Sequence, residues 1–289
     1  MYNNFLIIPN PLKHNSMEFV SVIADYLEKK NKKAYVPDDY TEDFGANVST
    51  ISSENLDIID MAIILGGDGT FLRNIAYIKH REIPVFGVNF GHLGYLTQCD
   101  PDDTFDYLDR VISGDFEIES RIMLKCVISK GDEMCSYTGV NEVVLHRHVS
   151  DRALHINVCI KGNLIEDFSA DGVLVSTPTG STAYNVSAGG PVVIPTANNF
   201  VITPICAIRT TCSIVSSGDD EVRITLQKRD GEAGLAGACL SVDNIDSIAF
   251  DSDSILTVTK SKYALRLVRF NNDSFYHTLK NKLYNQHNY

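Results

Sequence analysis

The sequence predicts an α/β domain followed by a β-rich domain, and two observations lead to this prediction. Before about residue 115, apolar strand-like runs alternate with segments of helical periodicity. Beyond that point the segments become short and β-branched, separated by turn residues such as Gly218-Asp219. We therefore expect domains over 1–115 and 116–264, with the C-terminal segment 265–289 packing back on the first domain.

The first domain contains apolar runs that predict strands and periodic segments that predict helices. The predicted strands are Phe5–Pro9, Ile58–Leu65 and Ile83–Val88. The predicted helices are Phe19–Leu27, Phe71–Ile78 and Asp100–Ser113. The middle strand is almost continuously apolar, which is typical of a strand buried on both faces of a parallel sheet.

The second domain is predicted to consist mainly of strands. They are Ile118–Ile128, Glu142–Leu145, Ala153–Ile160, Gly172–Val175, Val222–Leu226, Ile248–Phe250 and Leu256–Thr259. Pro178–Gly190 is small, polar and flanked by glycine, which predicts a short helix inside the β region. The last segment, Ser274–Tyr284, has Phe275, Leu279 and Leu283 four residues apart, which predicts a closing amphipathic helix.

Composition narrows the classes of function. The formal net charge of −12 over 289 residues argues against sequence-independent nucleic-acid binding, which needs a basic face. An acidic chain must hold a phosphate with backbone N–H groups, a few placed cations and a divalent metal ion. The seven cysteines form no C-x-x-C pair, so we expect neither disulfides nor a zinc site. Without a membrane-length apolar run or a targeting segment, we expect a cytoplasmic protein with no membrane partner.

A glycine-rich segment follows the middle strand directly. Gly66-Gly67-Asp68-Gly69-Thr70 lies between the buried strand and a predicted helix. Glycines permit positive φ and close approach of a phosphate, and a helix N-terminus carries partial positive charge. The segment lacks the Gly-Lys-Ser/Thr ending of a Walker loop and the G-x-G-x-x-G dinucleotide pattern. It therefore predicts a phosphate site of another type.

Asp68 is the unexpected residue of this segment, because a carboxylate repels a phosphate. It is suited to accepting a proton from an attacking hydroxyl or to helping hold a metal ion. A simple Asp-Gly turn is the alternative, but the double glycine and the strand–loop–helix context favour a functional role. Arg73, three residues past Thr70, either points back toward a phosphate or ribose or is a solvated helix residue.

A second polar segment lies in the β-rich domain. Thr177–Tyr184 is dense in hydroxyl side chains, which suit sugar hydroxyls better than a core or a helix interior. Tyr184 adds a ring on which a base could stack. Asn141-Glu142 either recognises an adenine edge and a ribose diol or is an ordinary strand entry. His146 and His148 lack further ligands at metal spacing, so no protein-bound metal is predicted.

Together these motifs resemble the NAD kinase family over nearly the whole chain. The matching motifs are Ile63–Thr70, Gly87-Val88-Asn89, Gly91–Tyr95, Asn141-Glu142, Asp171-Gly172 and Ser176–Pro191. The Gly-Gly-Asp-Gly loop alone also occurs in diacylglycerol kinases, sphingosine kinases and phosphofructokinases. The Ser176–Pro191 run is the specific part of the resemblance. It implies a Rossmann-like α/β domain and a β-sandwich-like domain, assembled as a homodimer or homotetramer.

The resemblance also implies roles for individual residues. Asp68 would be the catalytic base, and Gly66, Gly67 and Thr70 would form the phosphate loop. The residues implied to bind NAD are Gly69, Arg73, Tyr95, Asn141, Glu142, Arg152, Asp171, Thr182, Ala183, Tyr184, Asn185 and Ser187. Three positions depart from the family pattern: Ser169 replaces a basic residue, Ala207-Ile208 replaces Pro-His, and Asp243-Asn244 replaces Asp-Gly. Because Asn tolerates the left-handed conformation, we expect the last turn to persist.

The implied activity is transfer of the γ-phosphoryl group of ATP to the 2′-hydroxyl of the adenosine ribose of NAD, giving NADP. ATP would bring Mg²⁺ or another divalent cation. Two alternatives stay open at this point. One is a lipid or sugar kinase that shares the Gly-Gly-Asp-Gly loop, and the other is a non-catalytic dinucleotide sensor.

Overall fold

A computed structural model describes residues 2–91, 94–148, 152–209, 211–227, 238–244, 247–270 and 275–284. The chain divides into two compact units, residues 1–120 with 265–289 and residues 121–264. His92, Leu93 and Ser274, which belong to predicted motifs or elements, lie outside the described residues. Within the described ranges, every helix is too short or too polar to span a membrane.

Strands and helices are interspersed up to residue 113. They are β1 (Asn4–Pro9), α1 (Ser16–Lys29), β2 (Lys33–Pro37), β3 (Val48–Ile51), β4 (Met61–Leu65), α2 (Asp68–Ile78), β5 (Val85–Val88) and α3 (Thr104–Ser113).

Strands predominate in the rest of the chain. The elements are β6 (Glu117–Lys130), β7 (Glu133–Gly139), β8 (Glu142–Arg147), β9 (Leu154–Ile160), β10 (Asn163–Ala170), β11 (Gly172–Ser176), α4 (Tyr184–Ser187), β12 (Asn199–Ile205), β13 (Ile214–Ser217), β14 (Val222–Leu226), β15 (Ala238–Val242), β16 (Ile248–Phe250), β17 (Ile255–Arg269) and α5 (Phe275–Tyr284).

The first unit is built on a parallel sheet in the order β3-β2-β1-β4-β5, with the end of β17 parallel to β5 through Leu267 and Val85. All five residues of β4 are buried, as its continuous apolar run predicts for a central strand. Val268 and Phe270 join the same hydrophobic core as α1, β1 and β4. The predicted packing of the chain end on the first domain is therefore confirmed.

The second unit is antiparallel. One sheet has the order β13-β12-β11-β8-β15-β16, and another set of strands has the order β10-β9-β14-β17. One core contains inward residues of both sets, such as Val173 of β11 and Ile224 of β14. This is the arrangement of a β-sandwich. The predicted class, an α/β domain with a β-rich, sandwich-like domain, is confirmed.

Several element boundaries differ from the prediction; for example, β17 continues to Arg269 instead of ending at Thr259. Helix α2 begins at Asp68 rather than at Phe71, because a carboxylate in the first helical turn is stabilised by the positive end of the helix. Ile58 ends a 3₁₀ helix that starts at Ser53, so β4 begins only at Met61. The predicted helix from Asp100 starts with a 3₁₀ turn before α3.

Candidate active site

The glycine-rich segment connects β4 to α2. Leu65 ends the strand, and the N–H groups of Thr70 and Phe71 both donate to the carbonyl oxygen of Gly67, at 2.9 and 3.0 Å. Gly67 therefore accepts the first hydrogen bonds of α2. The first N–H groups of a helix have no partner within it, so this turn can present donors to an anion at the positive end of α2.

The glycines of this turn act differently from the prediction, because none of Gly66, Gly67 and Gly69 has a positive φ. A Cβ at Gly66 would overlap the side chain of Thr70. A Cβ at Gly67 or Gly69 would meet nothing within 4 Å. Gly66 thus allows close packing inside the turn, and the other two leave open space beside Asp68. These three glycines therefore do not use the positive φ that glycine permits.

Thr70 is anchored by a residue of the loop after β1. Its side chain is buried, and its Oγ1 accepts a hydrogen bond of 2.7 Å from Nδ2 of Asn10. Asn10 precedes Pro11 and had no predicted role. The pair connects the end of β1 to the first turn of α2 and holds that turn in place.

The carboxylate of Asp68 is oriented by backbone donors. Oδ2 accepts the N–H of Tyr95 at 2.8 Å, and Oδ1 accepts the N–H of Leu96 at 3.0 Å. A Cβ at Gly94 would overlap Oδ1, so only glycine permits this approach. The side chain of Asp68 remains 29% exposed, and Nζ of Lys282 lies 3.6 Å from Oδ2. Asp68 is fixed in orientation and still accessible to a ligand.

Tyr95 and Arg73 occupy different environments. The ring of Tyr95 has Lys282 Nζ 4.3 Å from its centroid and the Phe275 ring at 6.1 Å. Burial and the nearby charge of Asp68 raise the pKa of Tyr95. Arg73 is exposed on α2. Their roles toward a substrate stay predictions.

In the second unit, Asp243 organises the entry to β8. Its carboxylate accepts the N–H groups of Val140, Asn141 and Glu142 at 2.7, 2.8 and 3.1 Å. Asp243 and Asn244 have φ of 49° and 58°, which is the left-handed region. The turn therefore persists with Asn244 in place of glycine, as the sequence predicted.

Glu142 is the most perturbed acid of this region. Its side chain is buried, and Oε2 has no hydrogen-bond partner among the described residues. Burial, helped by the charge of Asp243, raises the pKa of Glu142 to about 8. A buried carboxyl oxygen without a partner is costly, and a ligand hydroxyl would satisfy it.

The hydroxyl-rich segment packs against this strand entry. Thr177 donates its N–H to Asn141 O at 2.8 Å and its Oγ1–H to Val140 O at 2.6 Å. A Cβ at Gly180 would overlap the backbone of Asn141. Some hydroxyl groups of this segment thus bind the residues just before β8. Asn141, one of these residues, is buried.

Asn185 has a role different from the predicted ligand contact. It is fully buried, and its Nδ2 donates to Ser181 O at 3.2 Å and to Pro191 O at 2.9 Å. Its Oδ1 accepts the hydroxyl of Thr203 at 2.7 Å. Because the whole amide is satisfied internally, Asn185 holds the segment together rather than facing a ligand.

A cavity of about 760 Å³ opens in the second unit and brings three predicted residues together, namely Glu142, Asp171 and Tyr184. Its lining also includes Val144, His146, Arg147, Ile205, Cys206, Ser241 and Asn244. The volume is typical of a small-molecule site. Arg147 Nε pairs with Asp171 Oδ1 at 2.6 Å, so a cation and an acid share this cavity.

The other predicted residues of the second unit do not line this cavity. Thr182 donates its hydroxyl to Thr179 O at 3.3 Å, and Ala183 ends a 3₁₀ turn. Ser187 is exposed at the end of α4, and Arg152 is exposed before β9. Their contact with a substrate stays a prediction.

The two remaining departures lie close to each other in the second unit. Ser169 Oγ is 3.0 Å from Nδ1 of His155, and Ser169 O accepts the N–H of Ile208 at 2.8 Å. A second cavity, of about 800 Å³, is lined by residues 188–191, 203, 204, 206–209 and 211–213. Ala207-Ile208 thus forms part of a cavity wall.

Sequence reasoning missed Asn10, Arg147, Asp243 and Lys282. Arg147 is adjacent to His146, which was considered only as a metal ligand, and Asp243 was considered only as part of a turn. Asp243 lies about a hundred residues from the N–H groups it accepts, so no local pattern indicates that contact. Across the described residues there is no cluster of three or more His, Cys, Asp or Glu suited to a metal.

Two domain families match the sequence of this chain. The sequence model described as the ATP-NAD kinase N-terminal domain matches residues 5–116, and that of the ATP-NAD kinase C-terminal domain matches residues 140–270. A NAD kinase of a Thermoanaerobacter species is 32% identical over 284 residues, covering 96% of this chain and 97% of the relative. One from Symbiobacterium thermophilum is 38% identical over 227 residues, covering 78% of each chain.

Solved structures share the fold. The crystal structure of yeast NADH kinase complexed with NADH superposes with a TM-score of 0.88 at 23% identity, covering 100% of this chain and 89% of the yeast chain. A NAD kinase from Archaeoglobus fulgidus in complex with ATP gives a TM-score of 0.74 at 24% identity, covering 97% and 99%. From the identity to curated relatives over nearly its whole length, this chain belongs to the NAD kinase family.

Proposed function

We propose that this protein transfers the γ-phosphoryl group of ATP to the 2′-hydroxyl of the adenosine ribose of NAD, giving NADP and ADP. The observation that carries the proposal is Asp68. Its carboxylate stands in the first turn of α2, is oriented by two backbone N–H groups and remains accessible. A general base needs this combination of fixed orientation and access.

In this proposal Asp68 takes the proton of the ribose 2′-hydroxyl. The hydroxyl oxygen forms a bond to the γ-phosphorus as the bond to the bridging oxygen of ADP breaks. The N–H groups of the Gly67–Gly69 turn face the donor phosphates, and the open space at Gly67 and Gly69 supports such an approach. Catalysis then rests on positioning and on charge stabilisation.

NAD is proposed to be bound by Asn141, Glu142, Asp171 and Tyr184. The shared cavity of the last three supports this, as does the Glu142 oxygen that has no partner among the described residues. Gly69, Arg73, Tyr95, Arg152, Thr182, Ala183 and Ser187 keep their proposed substrate roles. Asn185 supports the segment from inside.

A divalent cation, which we expect to be Mg²⁺, would enter as part of the ATP complex. Mg²⁺ is commonly held by one or two carboxylates together with substrate phosphates. The accessible carboxylate of Asp68, next to the proposed phosphate turn, fits this mode. The cation would neutralise charge on the donor phosphates.

The proposal has three further parts: assembly as a homodimer or homotetramer, a cytoplasmic location, and the correspondence of the two compact units to functional domains. All seven cysteines lie in described residues and none forms a disulfide, which supports a reducing compartment. Light scattering of the purified protein tests the assembly.

The function is tested by measuring NADP production from NAD with a coupled dehydrogenase. ATP, other nucleoside triphosphates and polyphosphate serve as donors, and NAD and NADH serve as acceptors. We expect NADP only when a phosphoryl donor, a divalent cation and the dinucleotide are all present. Phosphorylation of a lipid or sugar but not of NAD would indicate another kinase. Binding of NAD without any turnover would indicate a sensor.

A further inference from the structure

Helix α5 carries a cation to the carboxylate of Asp68. Lys282 Nζ lies 3.6 Å from Oδ2 of Asp68 and 4.3 Å from the ring centroid of Tyr95. The helix spans Phe275–Tyr284 and therefore lies beyond residue 270, where the family match ends. Lys282 is outside the matched family segments, and the resemblance assigns it no role.

Lys282 lies against the ring of Tyr95, and Tyr95 is itself held by neighbouring residues. The Tyr95 ring contacts the Phe275 ring at 6.1 Å, and the carbonyl oxygen of Tyr95 accepts Nη2 of Arg269 at 3.1 Å. The backbone N–H of Tyr95 meanwhile donates to Asp68. Tyr95 thus links α5, the end of β17 and the Asp68 carboxylate. The side chain of Lys282 is 28% exposed, whereas Lys280 on the same helix belongs to the exposed residues.

A lysine in the last helical turn has an ordinary structural explanation, because it stabilises the negative end of the helix. That explanation does not require the ammonium to stand beside the proposed catalytic carboxylate. The ion pair matters for function because a donor triphosphate is strongly anionic and the protein is acidic. A phosphate placed near Asp68 is repelled unless a cation neutralises that carboxylate.

We infer that Lys282 is a further residue of the phosphoryl-donor site. Its ammonium neutralises Asp68 in the free protein and faces the terminal phosphates of the donor in the complex. Any group within hydrogen-bond reach of Asp68 Oδ2 is within about 7 Å of Lys282 Nζ, and a lysine stem can rotate to close that distance. Movement of the ammonium toward phosphate leaves Asp68 free to accept the proton.

This inference rests on the proposed function, and one set of variants tests both. Lys282→Met removes the charge and keeps an apolar stem over Tyr95, while Lys282→Arg keeps the charge. Lys280→Met is the matched control, because it removes an exposed lysine from the same helix. Steady-state NADP formation is measured for each, with ATP and NAD varied separately and with Tm recorded.

For Lys282→Met we expect the KM for ATP to rise about tenfold, which is the size of a charge-assisted contact. The KM for NAD and the Tm should stay near those of the unchanged protein. Lys282→Arg should restore the KM for ATP to within about threefold, and Lys280→Met should change nothing. Higher salt should raise the KM for ATP of the unchanged protein more steeply than that of Lys282→Met.

Two results would overturn the inference. An unchanged KM for ATP in Lys282→Met would remove Lys282 from the donor site. A joint change of both KM values with a lower Tm, not restored by arginine, would assign it to anchoring of α5. If the unchanged protein makes no NADP from any donor, the proposed function itself fails, which is a separate outcome.

Discussion

The two regions that carry the proposed chemistry place their acids in opposite surroundings. Asp68 is partly exposed and faces two backbone N–H donors and the ammonium of Lys282. Glu142 is buried, has an oxygen without a partner among the described residues and lies near the carboxylate of Asp243. Burial and the nearby carboxylate of Asp243 disfavour the anionic form of Glu142.

This difference separates the two roles. A residue that accepts a proton needs access and a fixed direction, and Asp68 has both. A residue that recognises a hydroxyl benefits from a buried group whose hydrogen-bonding capacity is unfilled until the ligand arrives, and Glu142 has that property. The pKa of about 8 for Glu142 means that its carboxyl group is largely protonated at neutral pH. It can then donate as well as accept.

The largest expected effect comes from Asp68→Asn. Loss of the base should lower kcat by about 10³-fold, within the range for general base catalysis, while NAD affinity stays roughly unchanged. The measurement is coupled NADP formation together with calorimetric NAD binding. Asp106→Asn is the control, since Asp106 is an exposed acid that likewise lies in the first turn of a helix, α3. Near-normal turnover in Asp68→Asn would remove Asp68 from the role of base.

The second largest effect is expected for Asp243→Ala. The change removes the acceptor of three buried N–H groups at the entry to β8. We expect the free energy of unfolding to fall by roughly 3 kcal/mol, with weaker NAD binding because Asn141 and Glu142 lose their support. Denaturant titration measures the first effect. Asp132→Ala, an exposed acid in another turn, should stay within about 0.5 kcal/mol, and an equal loss there would contradict this account.

Some parts of the fold could be predicted from the sequence. The apolar run of β4, the periodicity of α1 and the turn at Gly66–Thr70 depend on neighbouring residues, and their patterns predicted the α/β unit and the phosphate turn. The many hydroxyl side chains in residues 177–187 likewise predicted a segment unlike an ordinary core or helix interior. Strand β3 was missed because two of its four residues are exposed and polar, so it lacks an apolar run.

Contacts between distant residues could not be predicted in the same way. The Asp243 hydrogen bonds, the Lys282 ion pair and the Asn10–Thr70 bond join residues that share no local pattern. Asn185 shows the related difficulty for side-chain direction. Its sequence context suggested a ligand contact, but only the three-dimensional packing reveals that its amide is turned inward.

A smaller effect, and a test of the Glu142 surroundings, is expected for Glu142→Gln. The folded-state pKa of about 8 lies above the ordinary value of 4.5, so the folded protein keeps a proton that the unfolded chain releases between these values. The free energy of unfolding should therefore decrease as pH rises from about 4.5 to 8. Glutamine cannot ionise, so this contribution to the decrease should disappear.

At pH 8 we expect Glu142→Gln to be more stable than the unchanged protein by roughly 1–3 kcal/mol, and the gap should shrink toward pH 5. Urea titrations between pH 5 and 8 measure this difference in the free energy of unfolding, and Glu117→Gln, at an exposed position, is the control. If both variants follow the same pH profile as the unchanged protein, Glu142 is ionised in the folded state and the contrast with Asp68 fails.

The smallest effect is expected for Asn244→Gly, which restores the glycine of the usual family turn. Asn244 already has φ of 58°, a region that asparagine tolerates better than most residues. Glycine relieves the remaining strain but has more freedom in the unfolded chain, so the two contributions largely cancel. We expect a change below about 0.5 kcal/mol and an unchanged KM for NAD. Asn244→Val should instead cost about 1–2 kcal/mol, because a β-branched residue is strained at positive φ. If Asn244→Val is as stable as Asn244→Gly, the turn does not depend on a left-handed backbone at residue 244. The position of Asp243, which supports Glu142, must then be fixed by other contacts.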